Sequence, residues 1–298
     1  MPLLLKKPAF VGLSIHDDEI RLIKLRRIKR QLQIDDAAII DLPVGLFIEG
    51  KITHLNQAIS LISELVDKTQ SQGCETAIAL PIAQIMHKRI SLAANLTEWE
   101  RELEIAENLS RYLPAMQTEL HYDHICLGKL DAKHDDVMLV TARSEQIKSY
   151  VLAVEQSGLH ATVVDADIYA LTRCFLYMRE MECTAAVVDV DVNSLQVVIV
   201  QQKKVLFHQR SAVHSIEEAA ESLLKTLKLC IDTWHFPPVE KIYLSGKSNL
   251  FQLQEMIRSC SSSCVEIFPL QNEFSWPEVQ LKSVLFLTAL GLAMRLLR

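Results

Sequence analysis

Glycine is scarce in this chain, eight residues in 298, where ordinary proteins carry about 7%. Loops that cradle phosphates rely on glycine so that backbone N–H groups can approach closely, and no glycine-rich loop is present. Long apolar runs are missing too. Ser283 to Met294 is nearly all apolar between Lys282 and Arg295, but a bilayer span needs about 20 residues, so a buried core helix is expected there. The opening MPLLLKKPAF has too short an apolar run for a signal peptide. The seven cysteines are odd in number and scattered, the usage of a reducing cytosol. Cys260 and Cys264 lack the second pair or the histidine partner that a zinc site needs, and they read as a helix end and a strand start. In a strand, His121 and Asp123 share one face while His124 points to the other, which does not build a zinc site either. Positive charge is not in excess: a formal net charge of -6 excludes recruitment of nucleic acid by a global field. No Ser, His and Asp order and no Cys–His pair has a catalytic spacing.

What the chain does contain is one device used twice. VGLSIHDDEIRLIKL (Val11 to Leu25) and AAVVDVDVNSLQVVIV (Ala185 to Val200) each read as a buried strand, an acidic turn and a second, alternating strand. Strands are predicted near 9–15, 20–27, 32–40 and 75–80, with helices near 54–70, 144–157 and 167–179 and a strand near 161–165. The second half repeats the order, with strands near 185–190, 195–200, 204–210, 240–244 and 264–267 and helices near 215–234, 249–260 and 283–297. Two domains facing each other across a cleft, each with its own core, are expected from this repetition and from the length.

Residues 85–141 interrupt the first copy and read as an inserted subdomain. Its helix is predicted to begin at Thr97, whose hydroxyl caps while Glu100 reaches back, and to stop before Pro114. Trp99, Leu103, Ala106 and Leu109 share a stripe expected to face the insert's core, with the glutamates in water. A docking face for a basic partner is the other reading.

These pieces, in this order, resemble the PilM family of type IV pilus assembly proteins, relatives of FtsA within the actin-like ATPase superfamily. The resemblance rests on the first hairpin, on LPVGLFIEGKI (Leu42 to Ile52), on AIALPIAQIMHKRISL (Ala77 to Leu92) and on the Glu-rich helix ending in RYLPA. It continues through Leu139 to Phe175, IYLSGKSNL (Ile242 to Leu250) and FLTALGLAMR (Phe286 to Arg295). It implies an α/β, two-domain actin-like (RNase H-like duplicated) fold with an FtsA-type insert. Residues 1–84 and 142–182 would form the first core, 85–141 the insert, and 183–298 a reduced second domain. It further implies an adaptor on the cytoplasmic face of the inner membrane, peripheral and not inserted, serving pilus assembly or DNA uptake beside other platform proteins. There it would hold the cytoplasmic tail of a PilN-like protein in a groove between core and insert, with Met86, Lys88, Tyr112, Leu113 and Pro114 as candidate neighbours.

The family carries ATP in the cleft, and the residues argue against it here. The family's Asp-x-Gly-Ser pattern is replaced by Ser14, Ile15, His16 and Asp17, followed by Asp18 and Glu19. Asp189 survives in the second hairpin, but Asp191 stands at the glycine position, and the adenosine-end glycine pair is reduced to Gly246 and Lys247. Clustered acids where a triphosphate would lie cost several kcal/mol, so a degenerate site without a bound cofactor is expected. Two solvated acidic turns are one reading of Asp17, Asp18, Asp189 and Asp191, and a divalent cation chelated between them is the other. A length difference points the same way, because residues between the third strand and the helix ending at Trp234 leave no room for the family's additional helical subdomain. An active ATPase using Asp189 toward Mg²⁺ and Lys247 near the nucleotide, and a filament-forming relative of FtsA, are the alternatives. Finally, Arg21, Lys24, Arg26, Arg27, Lys29 and Arg30 are expected to fill the turn between strands two and three, solvated or against anionic lipid.

Overall fold

Alternation of apolar residues sets the first strands, β1 (Ala9–Ile15), β2 (Glu19–Ile28) and β3 (Gln31–Asp41), which pair antiparallel in sequence. The computed structural model describes residues 8–29, 31–113, 119–179, 183–268, 274 and 283–297; Arg30 and Pro114 lie outside them. A short hairpin, β4 (Phe47–Ile48) and β5 (Lys51–Ile52), leads to α1 (Leu55–Lys68) and to β6 (Glu75–Leu80), which joins β1 in parallel. Then come the insert strand β7 (Ile85–Ala93), α2 (Glu98–Tyr112), β8 (Leu120–Lys129) and β9 (His134–Arg143). The first half ends with α3 (Ser144–Gln156), β10 (His160–Ala166) and α4 (Asp167–Met178). The second half runs β11 (Ala185–Val190), β12 (Ser194–Gln201), β13 (Lys204–Ala212), α5 (Ile216–Asp232), β14 (Lys241–Gly246), α6 (Leu250–Cys260), β15 (Cys264–Ile267) and α7 (Leu287–Arg295).

The two five-stranded sheets are ordered β10-β6-β1-β2-β3 and β13-β12-β11-β14-β15. In each, a three-stranded antiparallel meander is extended on the side of its first strand by two later strands running parallel to it. Only residues 213–215 separate β13 from α5, so nothing covers the second hairpin from that connection.

Separate cores were the expectation, and each half does have its own cluster. The cluster between them is shared. Ile23, Leu25 and Ile34 of the first sheet, Leu171 and Phe175 of α4, Val187, Val198 and Tyr243 of the second sheet, and Phe286 and Leu290 pack as one body. The reason is an exchange of helices. α7, from the second half, lies against β1, β2 and β6 of the first sheet and against α4.

The insert is a separate antiparallel sheet, β7-β9-β8, with α2 on one face. Thr97 and Glu100 make the capping box that the sequence predicts. The stripe is corrected. Ile105 is fully buried against Ile90, Leu92, Val137 and Leu139, with Leu109, Tyr112 and Leu113 beside it, while Trp99 is 69% and Leu103 42% exposed. At 100° per residue Trp99, Leu103 and Ala106 lie on the side of the helix opposite Ile105.

Candidate functional site

The two acidic turns do meet across the cleft: Asp17 stays exposed and Asp18 half-buried, while Glu19, Asp189 and Asp191 are buried, and cations from both halves stand among them. Arg21, 1% exposed, donates through Nε to Glu19 Oε1 (2.5 Å), through Nη1 to the Leu285 carbonyl (2.9 Å) and through Nη2 to Asp191 Oδ1 (2.7 Å). His16 Nδ1 lies 2.6 Å from the other Asp191 oxygen. From the second half, Lys247 Nζ reaches back to Asp18 (2.7 Å) and Glu19 (2.6 Å). Arg210 sits 3.6 Å from both Asp17 and Asp167. The basic run is thereby corrected: Arg21, Lys24, Arg26 and Arg27 lie within β2, Arg21 in the core, Lys24 bonded to the Thr69 and Gln70 carbonyls and Arg26 paired with Asp35.

The electrostatics follow from this pairing. Burial alone would raise the Asp191 carboxyl, but His16 and Arg21 outweigh it and hold it well below the carboxylate range. Burial opposes Glu19 in the same way and loses to Arg21 and Lys247, so its carboxyl is lowered. At Asp189 the balance is reversed: burial and the neighbouring Asp191 charge push its carboxyl up, against the weaker pull of Arg21, of the Ser245 hydroxyl that it accepts at 2.7 Å, and of His16. Ser14, against His16 Nε2 at 3.2 Å, is buried. Gly246 stands at φ +110°, and a Cβ there would meet the Val190 carbonyl oxygen at 2.2 Å, so it is a close-packing glycine. The space left between the turns is about 20 Å³. That accommodates one water molecule, whereas a small-molecule pocket takes about 300 Å³ or more. Among the described residues no group of three His, Cys, Asp or Glu side chains could hold a metal ion.

Sequence reading missed Arg210 and Asp167 as members and misplaced Arg21. A signal for Arg21 was present, since Glu19, Arg21, Ile23 and Leu25 alternate onto one face of β2 and the last two are plainly core.

Open space lies elsewhere. A cavity of about 540 Å³ runs between the insert sheet and the first half, lined by Ile85, His121, Asp123, Val140, Ala142, Val164, Tyr169 and Arg173. The strand registers explain its wall. Ile85 pairs with Ala142 and His121 with the same residue, so these side chains share the face away from α2, as do Val140 and Asp123. Met86 and Lys88 alternate onto the α2 face, where Lys88 Nζ donates to the Tyr112 carbonyl and Tyr112 and Leu113 pack the insert. His124 also turns to that face, 3.0 Å from Glu98. The groove and these sequence-derived candidates are thus on opposite sides of one sheet.

Above the groove, His87 of β7 bonds the Tyr169 hydroxyl of α4 (2.8 Å), and its ring centroid lies 5.4 Å from that of His208 on β13. Burial lowers the pKa of both rings, and His208 lowers that of His87 further. Free histidine titrates near 6.5. The unfolded chain therefore binds more protons than the folded one below that pH, and stability falls as pH drops through it. His208→Gln should flatten the loss of melting temperature between about pH 7 and pH 5, and an unaltered acid limb would refute the pairing.

Residues 12–232 match the family model described as type IV pilus assembly protein PilM. Among solved structures, the chain is similar to the PilM-PilN type IV pilus biogenesis complex, with a TM-score of 0.80 at 17% identity over 96% of this chain and 97% of that one. It is also similar to ethanolamine utilization protein EutJ from Carboxydothermus hydrogenoformans, at TM-score 0.59 and 12% identity over 97% and 90% of the two chains. A Bacteroides thetaiotaomicron protein with an actin-like ATPase fold and unknown function gives 0.51 at 12% identity, covering 92% and 95%. The fold is that of the actin-like ATPase superfamily, and no described helix is long and apolar enough to cross a membrane. Because the matched model covers well over half of the sequence, the chain belongs to the type IV pilus assembly protein PilM family.

Proposed function

We propose that this protein is a non-enzymatic adaptor of a type IV pilus or related assembly platform, working at the cytoplasmic face of the inner membrane. It would hold the cytoplasmic tail of a PilN-like protein in the groove between insert and first half. One observation carries the reading: between the acidic turns the ion pairs leave about 20 Å³, and the hollow beside the second turn, lined by Asp191, Ser248 and Asn249, has about 220 Å³, while the groove keeps about 540 Å³. Two strand edges border that groove, β8 and β10, each the last strand of its sheet among the described residues. An extended tail can add backbone hydrogen bonds along such an edge, with Val140, Ala142 and Ile85 as apolar floor. Residues 1–84 and 142–182 then form one actin-like domain, 85–141 an FtsA-type insert and 183–298 a reduced second domain, the pair descending from a duplicated RNase H-like unit.

The contact set shifts accordingly from Met86, Lys88, Tyr112 and Leu113 to the opposite face of the insert sheet. Titrating the full chain with a labelled peptide of the PilN-like tail tests this. Val140→Arg should weaken binding at least about tenfold without lowering the melting temperature, and millimolar Mg-ATP should leave that temperature unchanged. Peptide binding that ignores Val140→Arg overturns the groove assignment. A nucleotide-induced rise of several degrees revives the ATPase reading through Asp189 and Lys247.

A further inference from the structure

The inward face of α2 is fully used by Ile105, Leu109 and Tyr112, so its second apolar stripe has no task inside the protein. Trp99 and Leu103 stand in water, and with Ala106 they cover two turns, a length of about 10 Å. Glu102 and Glu107 flank that stripe on its two sides, and neither makes an ion pair among the described residues. Glu98 and Glu100 add charge at the same end while engaged with Arg101, His124 and the helix cap. The capping box and the Glu98–Arg101 pair fix the first turn, so Trp99 is presented on an ordered helix end and loses little freedom when covered.

We infer that the outer face of α2 is a docking surface for a basic amphipathic helix of another protein. An exposed tryptophan supplies an apolar anchor of the kind that dominates interfaces, and a leucine one turn on extends its apolar area. Acids on both flanks select a segment with Lys or Arg beside its apolar residues. The same charge rejects an anionic membrane and a second α2. This chain's own basic tip, Arg27, Ile28 and Lys29 at the β2–β3 turn, offers a single exposed apolar side chain and cannot match a two-turn stripe. The surface is independent of the groove, because α2 and the groove lie on opposite faces of the insert sheet.

The test uses the full chain and a fluorescein-labelled Leu/Lys peptide with leucines at i, i+3, i+4 and i+7, beside its Leu/Glu counterpart. At about 0.15 M salt the Lys peptide alone should bind saturably, and Trp99→Ala/Leu103→Ala should weaken it at least about tenfold. Glu102→Gln/Glu107→Gln should weaken it less and flatten its salt dependence. Phe251→Ala, which removes an equally exposed aromatic from α6, should change nothing. Both α2 variants should keep the parent's melting temperature, since their side chains are solvated. The proposal is overturned if the Trp99/Leu103 variant binds as the parent does. It is equally overturned if sedimentation reveals self-association that this variant abolishes, or if anionic vesicles compete for the same face.

Discussion

Arg21→Met should lower the melting temperature by about 10 °C. Removing one partner of a buried ion network leaves the others charged without compensation, which costs about 3–5 kcal/mol, and a chain of this size loses about 2–4 °C per kcal/mol. Arg21 qualifies fully: its guanidinium is buried and holds Glu19, Asp191 and the Leu285 carbonyl together. The pH dependence supplies a signature that mere loss of packing would lack. Glu19 and Asp191 have folded pKa values below their ordinary 4.5 and 3.8, so their pairing stabilises above those values and the benefit is lost as pH falls below them. In Arg21→Met the share of that benefit due to Arg21 is gone, while His16 still faces Asp191 and Lys247 still faces Glu19. The gap between parent and variant should be widest near neutrality and narrow below about pH 4.5. Adding Glu19→Gln and Asp191→Asn to the variant should recover at least half of the lost temperature at neutral pH. A drop under about 2 °C, or a gap that ignores pH, would mean that the network contributes no more than an exposed salt bridge.

Gly291→Ala and Gly12→Ala should each be about as damaging, and for a geometric reason. A Cβ on Gly291 would lie 1.9 Å from the Ala170 carbonyl oxygen, and one on Gly12 would lie 1.8 Å from that of Ala289. Both obstacles are backbone, so no rotamer change relieves them and α7 must leave its seat. Overpacking of this kind costs about 1–3 kcal/mol where side chains can yield, and more is expected where they cannot. Because both substitutions displace the same helix, the double variant should lose less than the sum of the two. Gly45→Ala is the control: at φ +87° it is strained, but nothing lies within 4 Å of the new methyl, and about 1 kcal/mol is the expected loss. Thermal denaturation of the three variants decides. Gly291→Ala should also weaken the tail peptide, since the Gly291 carbonyl accepts a hydrogen bond from Arg173 in the groove wall (2.9 Å). Equal melting temperatures for Gly291→Ala and Gly45→Ala would remove the argument.

The sheets were legible because strand alternation and the spacing of helices carry their own register, and the twin hairpins fall within a residue or two of where the pattern puts them. Partnership across distance was not legible. Arg21 and Asp191 are 170 residues apart, and nothing local distinguishes a paired buried acid from a repelling exposed one. Helix α2 misled for another reason: it has two apolar faces, and periodicity reports both without saying which is covered. A groove lies between core and insert, and Met86 and Lys88 stand on the other face of the insert sheet; a strand's alternation fixes two sets of side chains and not which of them faces a groove. Glycine scarcity argued against phosphate loops. Of the glycines that remain, Gly12, Gly246 and Gly291 serve close packing.

The seat of α7 on the first sheet also orders events during synthesis. β1 emerges from the ribosome long before the helix that must lie across Gly12, and until then the sheet face that carries Phe10, Ala77 and Ala79 is uncovered. A nascent chain of this protein therefore waits for a helix of its second half before that face of its first sheet is covered. Holdase chaperones should find it longest in that interval, and a chain shortened by that helix should be cleared by proteases instead of accumulating as a stable half.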